Sequence, residues 1–380
     1  MEAATGERHQ LELVDSRHKK LSGTSLMLRD FECRYIYKII PEYTTSEATF
    51  YAMVNGQEVF DTSRSYGYLK DTLKEPALLA ELNVLPRFYG VVKVIQEECP
   101  LSYGEGSDGG GNEVNYYEGS TTTSYSTSIY TAIKLENVLY NYDQPAIIDI
   151  KLGVHNTLDN ANYGGLSASR RIACVRRWQE LKMRHKLEQN IHTGSKRLYN
   201  ITANDLGLGD PFIDMTPTEL DALLKSWRQK FVASQTTEDD LGFRICSICI
   251  LSAGGPLEVS ASQAKLLKRE DTLSILNEVF STLPEVRKRM MDVLVKLRTW
   301  IELQDELSFS ATSLLATYDQ KDPSRCTVNW VDFTHVESIR HSRFSVVNAI
   351  IQLFHHSQCS GPSNMIKGID QLISICKNLD

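Results

Sequence analysis

The 380 residues contain no run of about 18 apolar positions, the least that a membrane-spanning helix requires. The opening MEAATGERHQLELVDSRHKK has no apolar stretch of the signal-peptide kind. The eight cysteines (Cys33, Cys99, Cys174, Cys246, Cys249, Cys326, Cys359 and Cys376) lack the dense spacing of a secreted disulfide framework. These absences argue against membrane insertion and set the expectation of a soluble protein in a reducing compartment, cytoplasmic, nuclear or both. An excess of positive charge is also missing. Against 41 Lys and Arg stand 48 Asp and Glu, a net charge of −7, whereas general nucleic-acid binding usually needs a basic domain. No nucleic-acid partner is expected. A small anionic ligand remains open, because it needs only a local basic pocket.

What is present suffices for a large core: 42% of the residues are hydrophobic, and the length suggests two lobes. TSLMLRD and RYIYKII have the β-branched and aromatic character of short strands. Ser46 precedes EATFYAMV, with Glu47 in the first turn of an expected helix. A strand is expected over Phe88 to Ile95. Residues 101 to 127 are rich in Gly, Ser and Thr and read as a flexible loop. IYTAIKLENVL and PAIIDIKLG follow as strands. Beyond them, Thr216-Pro217-Thr218-Glu219 reads as a capping box opening a helix. Met290, Leu294, Leu297 and Ile301 recur at helical spacing in a segment expected to end near Glu306. TSLLATYD and TVNWVDFTH form an expected hairpin. The pattern predicts an α+β, two-lobed, kinase-like fold. Its strand-rich N-terminal lobe spans residues 1–138, and a larger mixed C-terminal lobe spans 139–380, with a cleft between them.

The most specific signal is Pro145-Ala146-Ile147-Ile148-Asp149-Ile150-Lys151-Leu152-Gly153, of the form P-x-x-x-D-x-K-x-G. Asp149 and Lys151 alternate along a strand and so project from one face. A salt-bridged pair on an exposed strand face would read the same way. Arg170, Arg171, Arg176 and Arg177 crowd one short segment, with Arg170, Cys174 and Arg177 on one helical face and Arg176 beside it. A basic solvated face is the plainer reading. Cys246 and Cys249 have zinc-ligand spacing without a second pair, which favours buried thiols. Trp178, Trp227 and Trp300 are expected in the core.

P-x-x-x-D-x-K-x-G is the signature of the inositol polyphosphate kinase family, which this sequence resembles. Further stretches match in order. Lys134-Leu135-Glu136-Asn137-Val138 is similar to the family's adenine-receiving hinge, and Leu241-Gly242-Phe243-Arg244 to a strand opening after the substrate helix. Thr312-Ser313-Leu314-Leu315 is similar to S-S-L-L, Val331-Asp332-Phe333-Thr334-His335 to I-D-F-A-H, and Lys367 to Ile375 to the final helix. The resemblance implies a soluble phosphotransferase that uses ATP and Mg²⁺ on an inositol polyphosphate, with pyrophosphate formation from the hexakisphosphate as a finer option. It implies adenine at Glu136 and Val138, and ATP phosphates at Lys38, whose ammonium Glu47 could fix. Asp149 would contact the ribose or orient the acceptor. Lys151 would bridge the γ-phosphoryl group and the substrate. Asp332 would hold Mg²⁺, which favours one or two carboxylates plus phosphate oxygens, and an aspartate inside an apolar strand is costly unless paired or metal-bound. Arg170, Arg176, Arg177 and His335 would contact the substrate in a segment of about residues 154–240. The family has lysines where Arg170 and Arg177 stand, and arginine would grip phosphate bidentately. Ala173 and Cys174 stand where the multikinase branch has glutamines, and the Arg176-Arg177 pair is closer to the hexakisphosphate kinase branch. No G-x-G-x-x-G precedes Lys38. A substrate-binding scaffold without catalysis and a phosphoinositide lipid kinase are the competing readings.

Overall fold

A computed structural model describes residues 11–13, 27–40, 46–57, 72–97, 127–153, 166–188, 200–210, 212–252, 255–338 and 363–379. The expected loop lies outside these up to residue 126, and Thr127 already opens a strand. Two antiparallel five-stranded sheets organise the chain, giving the expected α+β class with strands gathered near the N-terminus. The first sheet has the order β1-β2-β3-β5-β4 (Leu11–Leu13, Met27–Asp30, Tyr35–Ile40, Thr127–Glu136, Phe88–Glu97). The second has the order β11-β10-β6-β7-β8 (Cys326–Val331, Ser313–Asp319, Pro145–Leu152, Phe243–Ser252, Gly255–Val259). A small ribbon pairs β9 (Leu307–Ser310) with β12 (His335–Ser338).

While Tyr37, Val94 and Ala132 form a separate small cluster on the first sheet, one continuous core joins residues of both sheets. Helix α1 (Ser46–Val54) lies in its middle, and its sequence explains why. SEATFYAMV is apolar nearly all round, and such a helix is stable only when buried on every side. Phe50 stacks on Phe333 with ring centroids 4.2 Å apart, and Trp330 meets Phe333 edge-on at 4.7 Å. The following short helix α2 (Pro76–Glu81) packs beside α1.

The second sheet is backed by helices. On β6 the residues Ala146, Ile148, Ile150 and Leu152 enter the core, leaving Ile147, Asp149 and Lys151 on the opposite face by strand alternation. Separately, a helical module has its own small core: α3 (Ala168–Glu188) packs on α4 (Pro217–Gln235) and on a 3₁₀ turn at Asn204–Leu206. Trp178, Leu206, Phe212 and Trp227 are buried in it. After the short helices α5 (Glu238–Leu241) and α6 (Ala261–Ala264) come α7 (Arg269–Thr282) and α8 (Pro284–Glu302). Met290, Leu294, Leu297 and Ile301 are buried on one face of α8, as their spacing predicts. That helix stops at Glu302 rather than Glu306. The reason is local: buried Gln304 exchanges hydrogen bonds with the Lys74 backbone, its Oε1 accepting from the amide at 3.1 Å and its Nε2 donating to the carbonyl at 2.9 Å. The chain ends in α9 (Ser363–Lys377). Among the described residues no helix is long and apolar enough to cross a membrane.

Candidate active site

Lys38 sits on β3 with only 5% of its surface exposed, and Glu47 in the first turn of α1 with 2%. The two meet as the sequence suggests, the Lys38 ammonium lying 2.7 Å from Glu47 Oε2 and 2.9 Å from Oε1. A third group reaches the same ammonium from nearly 300 residues away: Asp332 Oδ1, at 2.8 Å. Burial by itself pulls the Lys38 ammonium down, but the attraction of Glu47 and Asp332 outweighs it and the net shift is upward. Burial lifts Glu47, and the Lys38 charge opposes that rise. Lys38 therefore stays protonated, between two carboxylates.

The strand expected to carry Asp332 stops one residue short of it. Asp332 is not inside a strand: β11 ends at Val331, and Asp332 turns out of it with φ +69°, in the left-handed region. Leaving the sheet keeps its side chain 42% exposed. Left-handed backbone is uncommon outside glycine, and such conformations gather at functional sites. The next residues fix the turn. Phe333 is buried against α1, while the Thr334 hydroxyl lies 2.5 Å from Asp332 Oδ1 and 3.2 Å from Glu47 Oε2. Thr334 is a site residue that the sequence reading missed.

Asp149 and Lys151 share the face of β6 turned away from the core. Asp149 is only 3% exposed and Lys151 is half-buried, so an exposed strand face is not their setting. Cross-strand, Lys151 faces Ser313 on β10 and Arg244 on β7. Arg244 makes a buried ion pair with Glu238, Nε to Oε2 at 3.0 Å. A bulge in the β6–β7 pairing displaces Cys246, whose thiol burial, aided by the Asp149 charge, pushes up to about 12. It is an inert buried thiol.

The sheet register brings the two groups of residues together. β6 and β11 both run antiparallel to β10, hence in the same direction, and Ser313 pairs with Lys151 on one side and Val331 on the other. Asp332, one residue beyond Val331, thus lies at the same end of the sheet as Lys151. One strand separates them, about 10 Å at ordinary strand spacing. Glu136 closes β5, and Val138 lies in the linker that carries the chain from the first sheet to the second. The turn there is held by Asn137, which donates to the Cys33 carbonyl at 2.6 Å and accepts from the Leu139 amide at 3.1 Å.

Arg170, Arg176 and Arg177 are exposed on α3. The face shared by Arg170, Cys174 and Arg177 rests on the 3₁₀ turn: Arg170 Nη2 donates to the Gly207 carbonyl at 2.8 Å and Arg177 Nε to that of Asp205 at 3.4 Å. Backbone carbonyls thus orient these guanidinium groups. Among the described residues α3 packs chiefly within the helical module, on α4 and the 3₁₀ turn. His335 begins β12, paired with Ser310. Among the described residues no cluster of three His, Cys, Asp or Glu side chains could cage a metal by protein alone.

A profile of the inositol polyphosphate kinase family matches residues 132–377, roughly two thirds of the chain. The chain belongs to that family. The match takes in Asp149, Lys151, the α3 arginines, Asp332 and His335. It begins after Lys38 and Glu47, which only the three-dimensional arrangement connects to Asp332. None of the curated proteins compared with the chain matches it. Among solved structures it is similar to that of the inositol phosphate multikinase Ipk2 from S. cerevisiae in complex with ADP and Mn²⁺. The two are 16% identical, with 91% of this chain and 98% of that chain covered and a TM-score of 0.44. A second structure, of an inositol phosphate multikinase in a protein-engineering study, is 15% identical and covers 65% of this chain and 84% of that chain, with a TM-score of 0.37.

Proposed function

We propose that the protein is an ATP-dependent inositol polyphosphate kinase whose reaction takes place at the shared end of β6 and β11. The observation that carries this reading is the register that sets Lys151 and Asp332 on either side of Ser313, with buried Lys38 bound to Asp332. Phosphoryl transfer depends mainly on positioning and on stabilising charge, and these are the groups it needs. Lys38, held charged by Glu47, binds the nucleotide phosphates. Glu136 and Val138, at the linker between the sheets, receive adenine, while Asp149 binds the ribose or orients the acceptor.

The Asp332 carboxylate is a hard oxygen donor, partly exposed and beside a buried ammonium. It suits Mg²⁺, which takes one or two carboxylates and completes its shell with phosphate oxygens and water. When bound, Mg²⁺ would neutralise charge on the transferring phosphoryl group. Lys151 steadies that group from the β6 side and contacts the acceptor. Arg170, Arg176 and Arg177, with His335, provide the contacts for a polyphosphorylated ring, and guanidinium pairs phosphate bidentately. A phosphate acceptor, as on the hexakisphosphate, arrives already ionised and needs no general base.

The test is purified full chain with Mg²⁺, ATP and a panel from inositol tris- to hexakisphosphate, with ADP and labelled product both followed. Transfer to at least one acceptor, lost by 10²-fold or more (roughly, for a metal-site charge) in Asp332→Asn, is expected. No transfer to any acceptor despite tight binding supports a non-catalytic scaffold instead. Transfer only to phosphoinositide in vesicles identifies a lipid kinase. Either result overturns the proposal.

A further inference from the structure

We propose that Thr334 is a positioning residue that holds the Asp332 carboxylate in the orientation that binds the divalent cation. The inference rests on the reading of Asp332 as the cation ligand. Three charged groups surround the Thr334 hydroxyl: Asp332 Oδ1 at 2.5 Å, Glu47 Oε2 at 3.2 Å and Lys38 Nζ at 3.5 Å. A threonine hydroxyl has one proton to give, and the nearest acceptor, Asp332 Oδ1, takes it. Thr334 is itself anchored, because the Ser46 hydroxyl donates to its carbonyl at 2.9 Å. Ser46 of α1 therefore fixes the Thr334 backbone while the Thr334 hydroxyl serves Asp332.

Asp332 needs such a restraint. It stands just past the end of β11, in left-handed backbone, with its side chain 42% exposed. Lys38 also holds Oδ1, but imperfectly for this purpose. Its positive charge 2.8 Å from the carboxylate opposes a cation there, and arriving nucleotide phosphates compete for its three donors. The Thr334 hydroxyl is neutral and belongs to the same turn as Asp332, so it keeps its grip when Lys38 turns to phosphate. Groups that orient a metal ligand through a hydrogen bond change metal affinity by about 10- to 100-fold. The segment it occupies resembles I-D-F-A-H, where alanine has no hydroxyl, so this contact is a property of the present sequence.

The test uses full-length protein with Mn²⁺ and ADP, without inositol phosphate, free Mn²⁺ being read by electron paramagnetic resonance. Thr334→Val removes the hydroxyl at nearly constant shape, and Thr334→Ala serves if valine disturbs the packing. Thr334→Ser restores the donor, and Asp332→Asn is the reference. The expected result is Mn²⁺ binding weaker by about tenfold or more in the valine and alanine variants and close to wild type in the serine variant. Ligand-free melting temperatures should be nearly equal. In turnover, the Mg²⁺ concentration for half-activation should rise more than kcat at saturating Mg²⁺ falls. Unchanged or tighter Mn²⁺ binding in both hydroxyl-free variants, with binding lost in Asp332→Asn, overturns the role of Thr334 alone. A lowered melting temperature with metal affinity intact also overturns it, in favour of a structural role. If Asp332→Asn binds Mn²⁺ like wild type, Asp332 is not the ligand and both readings fall.

Discussion

A buried ammonium is tolerated only when paired, and breaking a buried ion pair from one side leaves an uncompensated charge. Lys38 and Glu47 are such a pair, each almost wholly buried, with Asp332 as the exposed third member. Glu47→Gln keeps the shape of the side chain and removes the charge. It should cost about 3 kcal/mol of stability at neutral pH, read from urea unfolding, and should raise the KM for ATP by letting Lys38 swing fully to Asp332. The pH dependence of the pair has a definite sign. Because the folded-state pKa of Lys38 is raised, its contribution is complete below the ordinary lysine value of about 10.4 and is lost only as pH climbs through the raised value. Any alkaline limb of activity below pH 10 must therefore come from another group. If Glu47→Gln leaves both urea midpoint and ATP kinetics unchanged, the pair neither supports the fold nor aims the lysine.

At the scale of elements, two glycines show how strands and helices far apart in the chain fit each other. Gly242, at φ +74° between α5 and β7, and Gly368, inside α9, touch backbone to backbone. A Cβ on Gly242 would stand 2.6 Å from the Gly368 nitrogen, and one on Gly368 would run into the Gly242 carbonyl. Gly368→Ala ought to help an isolated helix by about 1 kcal/mol. Here the collision with rigid backbone should win, for a net loss of about 1–3 kcal/mol in chemical unfolding; a stabilised variant would show that α9 can move off β7. Both glycines lie in stretches that resemble the family, without any hint in the sequence that they meet. The same limit runs through the site. β3, β6, β10, β11 and the buried face of α8 were legible because each carries its pattern within ten or twenty residues. The Lys38–Glu47 pair, nine residues apart, was legible for the same reason. The left-handed turn at Asp332 and the reach of the Thr334 hydroxyl to α1 were not, since no local pattern signals a contact across nearly 300 residues. The packing of α3 on α4 and the 3₁₀ turn was not legible either, since that core is assembled from Trp178, Phe212 and Trp227 on separate segments.

Across the whole molecule, one carboxylate ties the far end of the linker, at Asp143 and Gln144, to the second sheet. Asp319, at the end of β10 and fully buried, accepts hydrogen bonds from the amides of Asp143 at 2.9 Å, Gln144 at 3.3 Å and Lys321 at 3.0 Å. Arg325 lies 3.1 Å from the same carboxylate and also donates to the Asn141 carbonyl. The backbone amide of Asp143 is the chief cause of a carboxylate pKa below its ordinary value, with Lys321, Gln144 and Arg325 adding to it against burial. Asp319 therefore connects the linker that follows Glu136 and Val138 to the β10–β11 hairpin, whose far end is Asp332. Asp319→Asn replaces a charged acceptor by a neutral amide that offers one acceptor oxygen. It should loosen the linker: hydrogen exchange at Asp143, Gln144 and Lys321 should quicken, and the KM for ATP should rise more than kcat falls. The sign with pH is fixed by the lowered pKa. The wild-type contribution is complete above the ordinary aspartate value of about 3.9 and fades as pH falls toward the lower folded value. The melting-temperature gap between wild type and variant should therefore be widest near neutrality and close only below about pH 4. A gap that stays constant down to about pH 2.5, or amide exchange at the linker no faster than in wild type, would show that the linker is held by something other than the Asp319 charge.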